Sequence, residues 1–150
     1  MLFRSEIQEQ QAQLSKAFSD HVLDATNAYA LYVDDEKRLA GIPADAQEAA
    51  RLAAEKDGKT GWKFTLHFPS YFPVLQYADD RALRQTMYEA SVTRASELGP
   101  QYNAGQAEWD NTANMREQLT LCREEAQMLG YNNYGEVSLV PKMEIGRAHV

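Results

Sequence analysis

Three histidines, one cysteine and three runs of adjacent acids are the groups in this 150-residue sequence that could bind a metal, attack a carbonyl or move a proton. His21, His67 and His149 are widely separated, and no two have the i, i+4 spacing that lets two imidazoles reach one zinc ion from a helix face. A metal site needs three or four converging ligands, so each histidine reads as a solvated or hydrogen-bonded side chain. Cys122 lies on an apolar helical stripe with no histidine or metal-spaced cysteine beside it, and reads as a small core residue rather than a nucleophile. The runs Asp34-Asp35-Glu36, Asp79-Asp80 and Glu124-Glu125 could divide general acid and base work if their environments separated their pKa values. Adjacent acids seldom converge on one substrate atom, and helix caps and solvated faces are the better reading. Trp62, Phe64, Phe68, Tyr71, Phe72 and Tyr77 could line a peptide groove, but their alternation favours a core. P-loop, GxSxG, CxxC and calcium-loop patterns are absent. No residue is assigned a catalytic, cofactor-binding or metal-binding role.

The elements that would position these groups read as mainly helical. Leu14, Phe18, Val22, Ala25, Tyr29 and Tyr32 recur at three- and four-residue steps, which predicts an amphipathic helix over residues 14–33. Gly41-Ile42-Pro43 interrupts that pattern, and an Ala-rich run predicts a second helix over 43–56 that stops before Gly58. Trp62, Phe64, Leu66 and Phe68 alternate with Lys63, Thr65 and His67, the period-two pattern of a strand over 62–68. No second strand of that quality is visible, so its partner lies in sequence outside the chain, or at a weakly patterned site within it. Residues 70–77 read as a short helix. Asp79 or Asp80 caps a helix over 80–97 carrying Leu83, Met87, Ala90 and Leu98, and Gly99-Pro100 stops it. After a polar loop over 101–108, Asp110 or Asn111 caps a helix over 111–129 that turns Met115, Leu119, Cys122, Ala126 and Leu129 to one side and ends at Gly130.

Composition narrows the function classes. A chain of this length has the size of one domain and buries roughly two thirds of its unfolded surface when it folds alone. The formal net charge of -7 and pI near 4.9 argue against a nucleic-acid partner, which demands clustered Lys and Arg. No 18-residue apolar run is available for a membrane span, and the N-terminal MLFRSEIQEQQ lacks the apolar stretch of a secretory signal. A cytoplasmic location is expected, and the single cysteine is consistent with a reducing compartment.

Residues 111–143, NTANMREQLTLCREEAQMLGYNNYGEVSLVPKM, carry the most specific pattern. They resemble a segment of the zinc metallopeptidases of the oligopeptidase A and thimet oligopeptidase type, in which a helix reading LR-x-E-x-A-x-LLGY-x-NYA precedes SL-x-x-KM. Leu121, Glu124, Ala126, Leu129, Gly130, Tyr131, Asn133, Tyr134, Ser138, Leu139, Lys142 and Met143 fit, while Cys122, Met128 and Gly135 are conservative departures. Leu14 to Pro43 is similar to the family's helix with a VLDAT core and LAG-x-P exit. Gly61 to Ser96 resembles its strand ending in P-x-Y-x-P and the following D-x-ALR helix. The resemblance implies a mainly α fold, the helical part of the family's N-terminal lobe with one short β-strand, in a peptidase acting on short oligopeptides between helical lobes. It also implies zinc in the full-length protein, held by two histidines of an HExxH helix and a later Glu, with the HExxH glutamate activating water. HExxH occurs nowhere in these 150 residues. The chain therefore reads as a partial lobe over 1–143 that binds no zinc and is inactive alone, with exposed apolar surface that a missing catalytic domain would cover. The alternative is a non-catalytic helical binding or scaffold protein derived from the same lobe.

The end of the chain departs from that pattern after Lys142-Met143. The frame ATC GGA AGA GCA CAC GTC TGA of a common short-read library adapter translates as Ile145-Gly146-Arg147-Ala148-His149-Val150 and a stop, and Glu144 falls at the junction. Residues 144–150 are accordingly expected to be a non-native tail, of which residues 145–150 pack against nothing.

Overall fold

The computed structural model of the chain describes residues 3–142. The expected tail over 144–150, including His149, and the Met143 position of the family motif lie outside the described residues. Among those described, the elements are α1 (Arg4–Ala28), β1 (Leu31–Val33), α2 (Ala44–Lys56), β2 (Trp62–Phe64), α3 (Phe68–Tyr77), α4 (Arg81–Thr93), α5 (Thr112–Met128) and α6 (Tyr134–Leu139). The fold is mainly α, as the sequence predicts. The described residues divide into two compact units, one assembled from residues 3–19 and 112–142 and one continuous over Asp20–Asn111, the boundary falling within α1.

The continuous unit holds the larger core. Tyr29, Val33, Leu39, Ile42, Phe64, Leu66, Val74, Leu83, Met87 and Ala90 are buried in one cluster, with Trp62 and Tyr71 half-buried against it. Two corrections to the sequence reading arise here. The predicted helix over 14–33 starts earlier and stops at Ala28, and Leu31–Val33 is a strand. That strand is the missing partner of β2, with which it pairs antiparallel in the register Leu31 with Phe64, Tyr32 with Lys63 and Val33 with Trp62. The predicted strand over 62–68 is itself shorter. His67 already occupies the cap position of α3, and Pro69 sits in that helix's first turn, where its missing N–H costs nothing.

Two glycines are required by close approach. A Cβ on Gly41, whose φ is +85°, would lie 2.1 Å from the Tyr77 carbonyl oxygen. One on Gly61, φ +88°, would lie 2.5 Å from the Val33 carbonyl oxygen, beside the β1–β2 ladder. The helix predicted over 80–97 ends at Thr93, because Arg94 turns extended and Ala95 takes a left-handed conformation at φ 53°. The carbonyl of Ala95 then accepts the Asn111 N–H at 3.1 Å, a tie across the loop that local sequence does not announce. That loop is not wholly irregular either, since Gly99–Tyr102 and Ala107–Trp109 form 3-10 turns.

In the other unit α5 keeps its predicted span, but its buried face differs from the predicted stripe. Leu121, Glu125 and Ala126 are buried, whereas Met115 is exposed and Leu119 is 70% exposed. The helix closes on Gly130 at φ +80°, with the Tyr131 N–H donating to the Ala126 carbonyl at 2.9 Å and the Gly130 N–H to that of Gln127 at 3.1 Å. This is the paired C-terminal cap that a left-handed residue makes possible. Asn133 then caps α6 by accepting from the Glu136 N–H at 3.1 Å, and Glu136 reaches back to accept from the Asn132 N–H at 3.0 Å.

Candidate functional site

The chemistry-bearing residues are dispersed. His21 on α1 is held by its Nδ1, 2.9 Å from Oδ1 of the buried Asn111, a hydrogen-bonded histidine of the kind the sequence predicts. His67 is exposed at the start of α3. Among the described residues no three His, Cys, Asp or Glu side chains group to hold a metal ion. The donor set therefore does not fit the zinc that the resemblance implies for the full-length protein.

The acid pairs separate into different roles. Asp35 caps a 3-10 turn over Glu36–Leu39 by accepting from the Lys37 N–H, and Asp80 caps α4 by accepting from the N–H groups of Ala82 and Leu83. Asp80 also pairs with the Arg38 guanidinium at 2.6 Å, and that bond with the two backbone donors holds its carboxyl below the usual carboxylate range. Glu124 is exposed as predicted, but Glu125 is not, and the solvated reading of that pair is corrected. Glu125 is only 4% exposed. It accepts from Gln11 Nε2 at 3.2 Å and Gln8 Nε2 at 3.5 Å, with Arg4 Nε at 3.6 Å, so α1 side chains supply the donors that burial requires. Cys122, half-buried nearby, receives a 3.7 Å contact from Gln11 Nε2, and burial, helped by the Glu125 charge, pushes its thiol pKa up. A thiol raised in this way is the opposite of an activated nucleophile.

Sequence reasoning missed a polar cluster beside the two-stranded sheet. Asp57, just after α2, accepts from the Tyr32 hydroxyl at 2.7 Å and from Lys63 Nζ at 2.5 Å, while Lys59 Nζ stands 3.7 Å from the centre of the Tyr32 ring. The Lys63 and Tyr32 bonds lower the Asp57 pKa, and the same contacts raise those of Lys63 and Tyr32. Tyr32 and Lys63 face each other across the ladder, so the register of β1 on β2 brings this cluster together.

The aromatic run is also divided. Phe64 is core, but Phe68 is 69% exposed and stacks on the exposed Phe72 with ring centres 4.9 Å apart. Tyr77 is exposed too, which corrects the expectation that the whole run is core. Two clefts remain. Leu75, Arg81, Arg84, Gln85 and Tyr88 line one of about 420 Å³ on α3 and α4. Ser15, Phe18, Met115, Gln118, Leu119 and Cys122 line an apolar one of about 340 Å³ on α1 and α5.

Comparison with known proteins decides the family. The profile of Peptidase family M3 matches residues 74–150, just over half of the chain. The chain belongs to peptidase family M3. Over 138 residues, 92% of its length, this M3 chain is 49% identical to Oligopeptidase A of Haemophilus influenzae. Over the same share it is 46% identical to the Oligopeptidase A proteins of Salmonella typhimurium and Escherichia coli. The M3 chain spans about 20% of the length of each of these relatives. Several of the motif residues that carry the resemblance have structural roles. Gly130, Tyr131 and Asn133 close α5 and open α6, and Leu121 and Ala126 are buried beneath.

Proposed function

We propose that this chain is part of the helical lobe of a zinc-dependent, oligopeptidase A-like metalloendopeptidase whose full-length form hydrolyses short oligopeptides in the cytoplasm. On this reading the chain alone is inactive and binds no zinc. Membership of the M3 family, together with the absence of HExxH from all 150 residues, is the observation that carries it. The dispersal of His21 and His67 onto α1 and the start of α3 supports it, since catalytic zinc is typically held by three side chains with one position open for water. No helix of the described residues is long and apolar enough to cross a membrane, in keeping with a cytoplasmic peptidase.

The test is to purify residues 1–143, measure bound metal, and incubate the protein with a quenched fluorescent peptide with and without added zinc. Less than stoichiometric zinc and no cleavage are expected. Chelator-sensitive turnover that survives repurification would overturn the inactive-lobe reading. Independently, a long read of the gene across the codon for Met143 should continue in frame into an HExxH helix. A genuine stop there would instead favour the non-catalytic scaffold.

A further inference from the structure

The cleft on α3 and α4 combines features that the family reading does not use. Along α3, Phe68, Phe72 and Leu75 recur at i, i+4 and i+7, and along α4 Arg81, Gln85, Tyr88 and Val92 recur at i, i+4, i+7 and i+11. Each set is one helix face. Most residues of the two faces are exposed, Phe68, Phe72, Tyr88 and Val92 among them, while Leu75 is half-buried against the core and Val74, Leu83, Met87 and Ala90 are buried in it. Between them lies the cleft, with Leu75 and Tyr88 as apolar walls and Arg81, Arg84 and Gln85 as donors.

Its charge is opposite to that of the molecule. The chain carries a formal -7, yet two guanidinium groups and no carboxylate line this cleft. The nearby acids lie off the lining. Asp80 is committed to its cap and to Arg38, Glu89 accepts from Gln85 Nε2 at 2.8 Å, and Asp79 is an exposed turn residue. Arg84 is held in place, because its Nη1 donates to the Ala78 carbonyl and, at 3.3 Å, to that of Asp79, and carbonyls orient a guanidinium without neutralising it. Arg81 is exposed and makes no hydrogen bond or ion pair with another described residue. A fixed cation, a free cation and an apolar wall thus sit within one cleft.

We propose that this cleft binds the C-terminal carboxylate of a peptide ending in an apolar residue. A C-terminal residue carries a carboxylate and a side chain on the same Cα, the separation that a cleft with both kinds of wall can satisfy at once. A planar guanidinium meets a carboxylate with two parallel hydrogen bonds, which gives Arg81 its part, and Leu75 and Tyr88 take the side chain. The inference does not depend on the peptidase reading, because it concerns binding by this chain and not cleavage.

The experiment is fluorescence anisotropy with the full 150-residue chain and a dye-labelled Ala-Ala-Leu peptide bearing a free C-terminus. Saturable binding is expected, weakened on the order of tenfold by Arg81→Ala, by Tyr88→Ala and by C-terminal amidation, and weakened by added salt, as for a charge-assisted contact. Arg51→Ala, which removes a surface arginine from α2, is expected to leave binding unchanged. Equal binding of the amidated peptide, equal losses with Arg51→Ala and Arg81→Ala, or no saturation at about 10 mM peptide, a range in which even weak contacts register, would overturn the proposal. Tighter binding of an amidated Ala-Glu-Leu peptide than of the free C-terminus would also overturn it, in favour of a side-chain carboxylate.

Discussion

Glu125 shows how one residue can contradict its own chemistry. A carboxylate in an apolar interior is tolerated only where donors are supplied, and here Gln8, Gln11 and Arg4 supply them. Glu125→Ala removes the acceptor and leaves the two carboxamides facing a void. Urea unfolding should report a loss of about 2 kcal/mol, and Glu125→Gln, which keeps an acceptor, a smaller one. A carboxylate beside Glu124 in a run of charged residues reads as polar surface, so nothing local could have marked it. Its partners lie more than a hundred residues away. Asp57 is a titrating counterpart at the surface. Its folded pKa is lowered, so its contribution is present above the ordinary carboxylate pKa of about 4 and is lost as pH falls through the folded value. Tyr32 and Lys63 are raised, so theirs is present below about pH 10 and is lost as pH rises through their folded values. Thermal melts of Asp57→Asn against the parent should therefore differ at pH 7 and draw together as pH falls below the ordinary carboxylate range. A difference that does not shrink as pH falls would remove Asp57 from the acid limb.

At the scale of elements, the helices over Ala44–Lys56 and Thr112–Met128 were legible because their limits are written locally, in Pro43, Gly58 and Gly130. The strand β1 was not. Leu31, Tyr32 and Val33 are too few to display alternation, and Tyr29 and Tyr32 extend the helical spacing of the preceding stripe. Their extended state comes from pairing with residues 62–64, a contact that no window on the sequence contains. The same holds for the end of α4, where the Asn111 tie to Ala95 overrides a stop signal at Gly99-Pro100. Of the candidate sites, the absence of HExxH was legible, but the arginine-lined cleft was not, since it exists only once α3 and α4 pack. Glycine substitutions test how much the β1–β2 junction demands. Gly61→Ala brings a Cβ against the Val33 carbonyl, whereas at Gly130 no atom lies within 4 Å of the added carbon. Both suffer the left-handed penalty of about 1–2 kcal/mol, so denaturant midpoints should fall for both and further for Gly61→Ala.

For the whole molecule, the exposed apolar side chains weigh most. Leu119, Met115, Met128, Tyr131, Tyr134, Leu139 and Val140 are exposed on α5, α6 and their connection, and Phe68, Phe72, Tyr77, Tyr88 and Val92 on α3 and α4. Exposed apolar side chains in such numbers favour association with another surface. In sedimentation velocity the chain should show self-association at micromolar concentration. Leu119→Lys, at a site already 70% exposed, should shift it toward monomer without lowering stability. A single monomeric species across the concentration series would mean that these surfaces are tolerated as they stand.

The interleaving of the two units has a consequence for the order of events during synthesis. The Asp20–Asn111 unit is contiguous, so every contact in its core is available once residue 111 has left the ribosome. The unit that joins residues 3–19 to residues 112–142 must wait, with its first strip of helix already outside the ribosome and its second still within the exit tunnel. Closing it spans the whole intervening unit, and prior compaction of that unit brings the two ends nearer than a random chain would. Nascent chains stalled at the length where residue 111 has just left the ribosome should thus protect Leu83 and Met87 from hydrogen exchange while Ile7 remains unprotected. Protection of Ile7 at that length would reverse the order.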